Sequence, residues 1–362
     1  MLKSNSHNNQ IIFIEVMSLW ILLFLSILIV IFAIFPPNLI KANVYGDSQA
    51  ERVMLFPPVL WHYLTVDMKD THILAIAKYM KDEVKNSFFT SIFPSVALKD
   101  EALTSMGAMP LGIEQIMLLN PDRVLMWEQF SQGLENVYFP GTVKLSNELF
   151  NNKEQLYTLF GKITKQQNRS DYLIHRARKN IEFIVQHIPQ NTSEISVVVM
   201  GNKEKFFLWG SQYKNFNTNL SLLHAKNIVA KSSMNGSTNI ETLLMLNPDI
   251  IFIPSYLDYP IAPAELYQDV RLRSLNAVKN RRIYKLPNGI CRMEGPVEEP
   301  ILMLWLANVL YPNLQSDTTL RQYIVDTYQE IYNYTLNNTQ IDELLQIQYN
   351  RGSNGYEIFS KE

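Results

Sequence analysis

The sequence predicts an α/β protein with two Rossmann-like lobes, joined by one long helix and separated by a ligand cleft. Two observations lead to this fold class. Residues 113–126 and 240–253 carry nearly the same pattern, an apolar helix stopped by Asn-Pro-Asp and followed by an apolar strand. Between them, residues 166–190 have helical spacing and contain no glycine or proline before Pro189. Two copies of one α/β unit on either side of a long helix predict two similar lobes.

The boundaries of the predicted parts follow from these elements. The parts are a signal peptide or signal anchor with its linker (1–42), an N-terminal lobe (43–165), the connecting helix (166–190), a C-terminal lobe (191–312) and C-terminal helices (313–362). A stiff helix between two lobes permits only a small hinge motion. We therefore expect a cleft that opens and closes slightly.

Residues 11–35 form an almost wholly apolar segment that is long enough to cross a bilayer. A cleaved secretory signal and an uncleaved signal anchor both fit, because the candidate cleavage site after Ala42 has a poor residue at its −3 position. In either case we expect the rest of the chain to be exported to the periplasm. An uncleaved segment would tether it to the inner membrane.

The N-terminal lobe is predicted to begin with a strand over residues 52–56, which two prolines end. Trp61 and Tyr63 come soon after that strand. Helical spacing predicts a helix over residues 70–85. The first copy of the repeat follows, and its strand ends at Trp127.

The C-terminal lobe is predicted to contain four strands, at residues 194–200, 205–209, 250–253 and 282–286. A loop over residues 287–300 then leads to an apolar helix over residues 301–310. Glu298 and Glu299 are predicted to cap this helix, since acids favour a helix N-terminus. The closing residues 351–362 are predicted to fray, as chain ends commonly do.

Composition excludes several classes of protein. With 362 residues, 47% of them hydrophobic, the chain can bury one large or two medium cores. Its formal net charge of −2 gives no basic surface for nucleic acid. Cys291 is the single cysteine, which excludes an internal disulfide and a cysteine-ligated zinc or iron–sulfur site. There is no phosphate-binding loop, His-Glu-x-x-His helix or Gly-x-Ser-x-Gly turn. We therefore expect neither enzymatic activity, nor a cofactor, nor a bare metal site.

Several stretches together carry a family resemblance. Ile-Glu followed by Asn-Pro-Asp occurs at 113–122 and again at 240–249, and further matching stretches lie at 223–229, 282–287 and 304–312. In order and spacing they resemble the periplasmic solute-binding proteins of ABC importers for iron–siderophore, haem and cobalamin complexes. In that class a single rigid helix joins two lobes. The resemblance covers residues 51 to 345.

The resemblance implies a function and a partner. A protein of this class captures a small-molecule metal chelate, here most simply a ferric siderophore, and as a monomer delivers it to a permease dimer in the membrane. In the family, one glutamate on each lobe docks into permease arginines, and the matching positions are Glu114 and Glu241. Two carboxylates on separate lobes would let a symmetric permease sense the lobe spacing. An acid in the first turn of a helix also simply complements the helix dipole, an interpretation that a single glutamate would favour.

Candidate ligand contacts are the residues that follow each strand, because ligands of open α/β sheets bind beyond the carboxyl ends of the strands. These residues are Trp61, Tyr63, Trp127, Trp209, Tyr213, Tyr256 and Arg292. Aromatic rings suit a flat macrocycle or a catecholate, and an arginine suits an anionic iron chelate. We expect Trp127 and Arg292 to contribute most, although tyrosine and tryptophan are common at the rim of any fold.

Three alternatives stay open on the sequence alone. Haem or cobalamin could replace the siderophore on the same fold. A membrane-anchored ligand-sensing module would fit an uncleaved N-terminal segment. An enzyme built on the same two-lobe scaffold is the third alternative.

Overall fold

The structure is a computed structural model. It describes residues 51–55, 59–77, 88–98, 100–103, 118–128, 141–190, 193–202, 207–211, 213–230, 236, 238–255, 261–314 and 319–360. The apolar segment 11–35, Glu114 and Tyr256 therefore lie outside the described residues. Within the described part of the chain, no helix combines the length and the apolar character needed to cross a membrane.

The described residues contain ten strands in two sheets. The strands are β1 (Val53–Leu55), β2 (Ile73–Ala77), β3 (Asp100–Leu103), β4 (Arg123–Trp127), β5 (Thr142–Leu145), β6 (Ile195–Asn202), β7 (Phe207–Leu208), β8 (Ala225–Asn227), β9 (Ile250–Ile253) and β10 (Ile283–Lys285). The first sheet is wholly parallel, in the order β3-β2-β1-β4-β5. In the second, β10, β9, β6 and β8 are parallel neighbours, and β7 pairs antiparallel with β6.

Helices connect these strands and cover the sheets. They are α1 (Leu60–Asp67), α2 (Phe89–Ile92), α3 (Pro94–Ala97), α4 (Asn147–Asn151), α5 (Lys153–Ile163), α6 (Gln167–His187), α7 (Lys214–Leu222), α8 (Ile240–Leu246), α9 (Pro263–Gln268), α10 (Asn276–Lys279), α11 (Gly295–Leu310), α12 (Leu320–Tyr332), α13 (Asn338–Leu344) and α14 (Ile347–Asn350). Parallel sheets with helical crossovers confirm the predicted fold class of two α/β lobes.

The sequence repeat is also a repeat of local geometry. Asn120 and Asn247, which precede the two Pro-Asp pairs, both have left-handed backbones, with φ of 45° and 40°. The carboxylate of Asp122 accepts a hydrogen bond from the backbone N–H of Arg52 at 2.8 Å. Asp249 accepts the equivalent bond from Ser196 at 3.0 Å. In each lobe the motif therefore ends a helix and ties the next strand to the central strand beside it.

Helix α6 lies between the lobes and is amphipathic. Its buried residues include Leu173, Ile174, Ala177 and Ile184, which recur at helical spacing. This face packs against α5 and α11. One hydrophobic cluster continues from β1 through α6 to α11 and the C-terminal helices. The lobes therefore share part of their core, and the small hinge motion stays a prediction.

Helix α1 is buried along its whole length and ties the two halves together. The hydroxyl groups of Thr65 and Tyr332 lie 3.0 Å apart. The guanidinium of Arg169, on α6, donates to the carbonyl of Thr65 at 2.9 Å and to that of Ile331 at 2.8 Å. Contacts from two distant parts of the chain, Arg169 on α6 and Tyr332 on α12, therefore fix α1.

Three sequence predictions about elements were wrong. Residues 73–77 form strand β2 rather than part of a helix. Helix α11 begins at Gly295, with Pro296 in its first turn and Pro300 inside it, rather than near residue 301. The closing residues are not frayed up to residue 360, because Tyr356 and Phe359 are 1% and 3% exposed and pack around Trp305.

Candidate functional site

The loop that follows β10 is folded around a buried carboxylate. Glu298, in the first turn of α11, has no exposed surface. It accepts hydrogen bonds from the backbone N–H groups of Ile290 at 2.8 Å, Cys291 at 2.8 Å and Met293 at 3.1 Å, and from the hydroxyl of Tyr328. Burial raises the pKa of this carboxyl, and the hydrogen bonds oppose that rise. Glu298 therefore organises a loop rather than simply capping a helix.

This loop holds Arg292 in an unusual backbone conformation. Arg292 and Met293 both have left-handed backbones, with φ of 55° and 59°, and Gly295 follows with φ of 76°. A left-handed non-glycine residue costs on the order of 1 kcal/mol or more. The bonds to Glu298 offset this cost. The result is a fixed turn that presents Arg292 at a pocket.

The pocket lies where the carboxyl end of β10 meets helices α4, α7 and α11. Its volume is about 40 Å³. The polar and charged side chains that line it are those of Asn151, Tyr213, Lys214, Asn215, Asn219, Ser255, Arg292, Glu294 and Glu299. Most belong to the C-terminal lobe, and Asn151 comes from the N-terminal lobe. The pocket therefore lies at the junction of the lobes.

An ion pair crosses this junction beside the pocket. Lys153 Nζ, at the start of α5, lies 2.8 Å from Glu294 Oε2, and the lysine side chain is 5% exposed. Partial shielding from water strengthens the Coulomb attraction of this pair, while burying the lysine carries a desolvation cost. The pair joins the N-terminal lobe to the Arg292 loop and neutralises one of the two acids at the pocket.

The second acid at the pocket is Glu299. One of its oxygens accepts a hydrogen bond from the Asn219 amide at 3.0 Å. Burial raises the pKa of the Glu299 carboxyl, and the Asn219 bond only partly opposes the rise. The Asn219 bond holds this carboxyl at the pocket.

Close packing around Gly295 brings the two lobes into contact below the pocket. A Cβ atom at Gly295 would lie 3.0 Å from Nδ1 of His62. Burial, together with the charges of Lys153 and Arg292, lowers the pKa of His62 well below its usual value. His62 is therefore neutral, and its Nδ1 lies 3.3 Å from the Tyr157 hydroxyl. Both the positive φ and this contact favour glycine at position 295.

The turn before α7 is held by asparagine side chains. The Asn217 amide donates to the Gly210 carbonyl at 2.9 Å, and the Asn227 amide donates to the Trp209 carbonyl at 2.8 Å. The rings of Trp209 and Tyr213 pack edge to face with centroids 5.0 Å apart. Tyr213 therefore stands at a fixed position at the start of α7, where that helix meets the pocket.

The structure brings together only some of the predicted ligand contacts. Arg292 and Tyr213 line the pocket, and Trp209 packs against Tyr213. Trp61, Tyr63 and Trp127 instead lie in the core of the N-terminal lobe, 3%, 0% and 2% exposed. Trp61 packs against Phe89 and Phe93, and Tyr63 against Phe160. Helix α1 follows β1 at once and turns the first two rings inward.

Several polar residues that line the pocket were not predicted as ligand contacts from the sequence. They are Asn151, Lys214, Asn215, Asn219, Ser255, Glu294 and Glu299, and Lys153 beside the pocket was not predicted either. The sequence predicts only a helix-capping role for Glu298 and Glu299. Among the described residues, no group of three or more His, Cys, Asp or Glu side chains is placed to hold a metal ion.

Comparison with known proteins identifies the family. The family model described as "Periplasmic binding protein" matches residues 93–289. The chain belongs to this family. Membership of a family of binding proteins agrees with the expectation that the chain is not an enzyme.

Solved periplasmic binding proteins share the fold of this family member. A periplasmic solute-binding protein from Veillonella parvula is 22% identical, with a TM-score of 0.71, over 84% of this chain and 94% of that one. MolA of Haemophilus influenzae, bound to molybdate, is 17% identical with a TM-score of 0.66, over 81% and 96% of the two chains. Helicobacter pylori CeuE, in a Ni-His complex, is 16% identical with a TM-score of 0.64, over 83% and 95%.

One curated relative matches this binding protein in sequence. It is the molybdate-binding protein MolA of Haemophilus influenzae, 23% identical over 180 residues. The match covers 48% of this chain and 50% of the relative. The chain therefore spans about half the length of the curated relative in this alignment.

Proposed function

We propose that this chain is the substrate-binding component of an ABC importer and that its ligand is a small oxyanion of the molybdate type. The single observation that carries the proposal is the presentation of Arg292 by a rigid loop at a small pocket between the lobes. Arginine binds oxyanions through a planar fork of donors. Lobes that close on such an anion would present it to a membrane permease.

The size of the pocket supports a small ligand. A cavity of about 40 Å³ has room for about three water molecules, since each needs roughly 10–15 Å³. Pockets for drug-sized ligands are about 300–1,000 Å³. A bare tetrahedral oxyanion suits a cavity of about 40 Å³ better than a drug-sized pocket.

The charge of the pocket supports an anion. Arg292 and Lys214 contribute positive charge, whereas Glu294 is paired with Lys153 and the raised pKa of Glu299 favours its neutral form. The first turn of α7 also borders the pocket through Lys214 and Asn215. Unpaired N–H groups at a helix start attract anions. The binding of molybdate by the relative MolA is consistent with this chemistry.

The second candidate ligand is the one expected from the sequence, a ferric siderophore or similar metal chelate. The ring pair of Trp209 and Tyr213 beside Arg292 favours it, because an aromatic ring and a guanidinium can hold an anionic chelate. Haem and cobalamin receive less support, because Trp61, Tyr63 and Trp127 lie in the core.

Isothermal titration calorimetry on the purified protein tests the ligand. The panel is sodium molybdate, tungstate, sulfate and phosphate, a ferric siderophore, haem, cobalamin and nickel–histidine. We expect saturable binding of molybdate or tungstate at micromolar concentration or below. Binding of the siderophore alone would favour the second candidate, and no heat from any ligand would contradict both.

The pH dependence of molybdate binding should follow Glu299. Its folded pKa is raised above its unfolded value, so the neutral acid contributes stability at low pH that is lost as the pH rises through the folded pKa. Ionisation also adds a negative charge to the pocket. We expect molybdate affinity to fall over that pH range in the wild type, measured by calorimetry. Glu299→Gln, which carries no charge at any pH, should remove this step, and an unchanged profile would contradict the assignment.

Docking to the permease dimer is proposed for Glu114 and Glu241, one from each copy of the repeat. Glu241 is exposed in the first turn of α8, where the Asn239 side-chain oxygen accepts the N-cap hydrogen bond from the backbone N–H of Thr242 at 2.8 Å. Glu114 is assigned from the sequence repeat. The chain is proposed to act as an exported monomer, with residues 11–35 as its leader or anchor.

Uptake by cells tests the docking proposal. Glu114→Gln and Glu241→Gln together should reduce ligand uptake at least tenfold, since about 1.4 kcal/mol or more of ionic contact is lost. Ligand affinity of the purified double variant should be unchanged. Normal uptake by the double variant would show that Glu114 and Glu241 are not needed for docking to the permease.

A further inference from the structure

We propose that an apolar contact accompanies the carboxylate on each lobe, supplied by Leu118 in the N-terminal lobe and Met245 in the C-terminal lobe. The partner is the twofold-symmetric permease of the importer, which would present an apolar socket beside each cation. This inference rests on the proposed function, because the partner is the permease.

Both side chains are unusually exposed. Leu118 is 84% exposed and Met245 is 78% exposed. Single exposed apolar residues are ordinary on protein surfaces and carry no argument alone. Here the two occupy the same position in the two copies of the repeat. Each lies two residues before the left-handed asparagine, at Asn120 and Asn247.

The same helix face carries the acid of the repeat. On α8, Glu241 and Met245 are four residues apart and both exposed, while Leu243 has no exposed surface. Residues four apart lie on one helix face. In the first repeat the sequence places Glu114 four residues before Leu118. In the sequence, each copy therefore places one carboxylate four residues before one apolar residue.

The C-terminal lobe extends this surface. Val270 is 75% exposed and belongs to the short 3₁₀ helix Val270–Leu272, which packs against α8. An apolar surface beside an acid fits a partner with an apolar socket and a neighbouring arginine or lysine. Because the pair occurs once on each lobe, the fitting partner presents that socket twice, as a permease dimer does.

The test measures binding of the ligand-free protein to the permease–ATPase complex of the same importer, held in lipid nanodiscs. The variants are Leu118→Gln, Met245→Gln and the double variant, with Leu98→Gln as the matched control. Leu98 is also 84% exposed but lies outside the repeat. We expect each single variant to bind about tenfold more weakly and the double variant about a hundredfold. The control should bind like the wild type.

Salt separates the apolar contact from the ionic one. Glu241→Gln should lose less affinity for the permease–ATPase complex at high ionic strength than at low, because salt screens exposed charges. The affinity lost in Leu118→Gln and Met245→Gln should be the same at both ionic strengths. All variants should unfold like the wild type, since the substituted side chains are exposed.

The outcomes distinguish this inference from the function on which it rests. If Glu241→Gln weakens docking while the double apolar variant binds normally, the apolar contact is excluded and the importer function stands. If the wild type itself does not bind the complex, the importer function fails as well. If the protein dimerises in sedimentation and the double variant does not, a second copy covers this surface and the proposal is overturned.

Discussion

Replacing Arg292 by glutamine is expected to weaken molybdate binding about 30- to 150-fold. Glutamine keeps a similar length and a hydrogen-bond donor but loses the charge and the forked geometry. A hydrogen bond to a charged group contributes about 1.5–3 kcal/mol, and loss of charge at a shielded site adds to this. Calorimetry of the purified variant with sodium molybdate measures the change.

Two matched variants sharpen this prediction. Arg292→Lys keeps the charge without the fork and should lose less affinity than Arg292→Gln. Arg273→Gln removes an arginine that is exposed outside the pocket and should bind like the wild type. Equal affinity of Arg292→Gln and the wild type would remove Arg292 from the binding site.

Replacing Glu298 by alanine is expected to lower the free energy of unfolding by about 3–5 kcal/mol. The substitution leaves the buried N–H groups of Ile290, Cys291 and Met293 and the Tyr328 hydroxyl without their acceptor. The loop would then no longer hold Arg292 at the pocket, so molybdate affinity should fall as well. Denaturant unfolding and calorimetry measure the two effects.

The controls for Glu298 distinguish loop support from a general loss of charge. Glu298→Gln keeps one acceptor oxygen but directs an amide donor at backbone N–H groups. Its free energy of unfolding should therefore lie between those of the Glu298→Ala variant and the wild type. Glu357→Ala removes an exposed carboxyl and should change stability by less than about 0.5 kcal/mol. A stable Glu298→Ala protein with normal affinity would show that the loop does not need this carboxylate.

The fold was predictable because its strongest signals are local and repeated. Asn-Pro-Asp ends a helix and starts a strand in both lobes, and each aspartate then bonds the neighbouring central strand. The amphipathic pattern of residues 166–190 predicted the helix between the lobes, which is α6. Such features depend on short stretches of chain, so they can be predicted from the sequence alone.

The wrong element predictions have local physical causes. Residues 73–77 read Ile-Leu-Ala-Ile-Ala, and a short apolar run cannot be assigned to helix or strand by periodicity. The sequence predicts the apolar helix from residue 301, but α11 begins six residues earlier, at Gly295, and accommodates Pro300 inside it. The tail was expected to fray because the packing of Tyr356 and Phe359 on Trp305 is a long-range contact.

The candidate site was predictable only in part. Arg292 follows a strand end, so the topological rule placed it at the cleft. The same rule predicted Trp61 at the cleft, and that prediction was wrong because α1 buries the Trp61 ring in the core. Lys153 and Glu294 are 141 residues apart in the chain, and no sequence pattern links them across the lobes.

The most direct test of the central claim is to locate the anion itself. Crystals of the protein grown with sodium molybdate, measured at the molybdenum absorption edge, would show the metal by its anomalous scattering. We expect one strong peak in the pocket, with its oxygens within hydrogen-bond distance of the Arg292 guanidinium. A peak confined to the outer surface, or a pocket without a peak at saturating molybdate, would contradict the account.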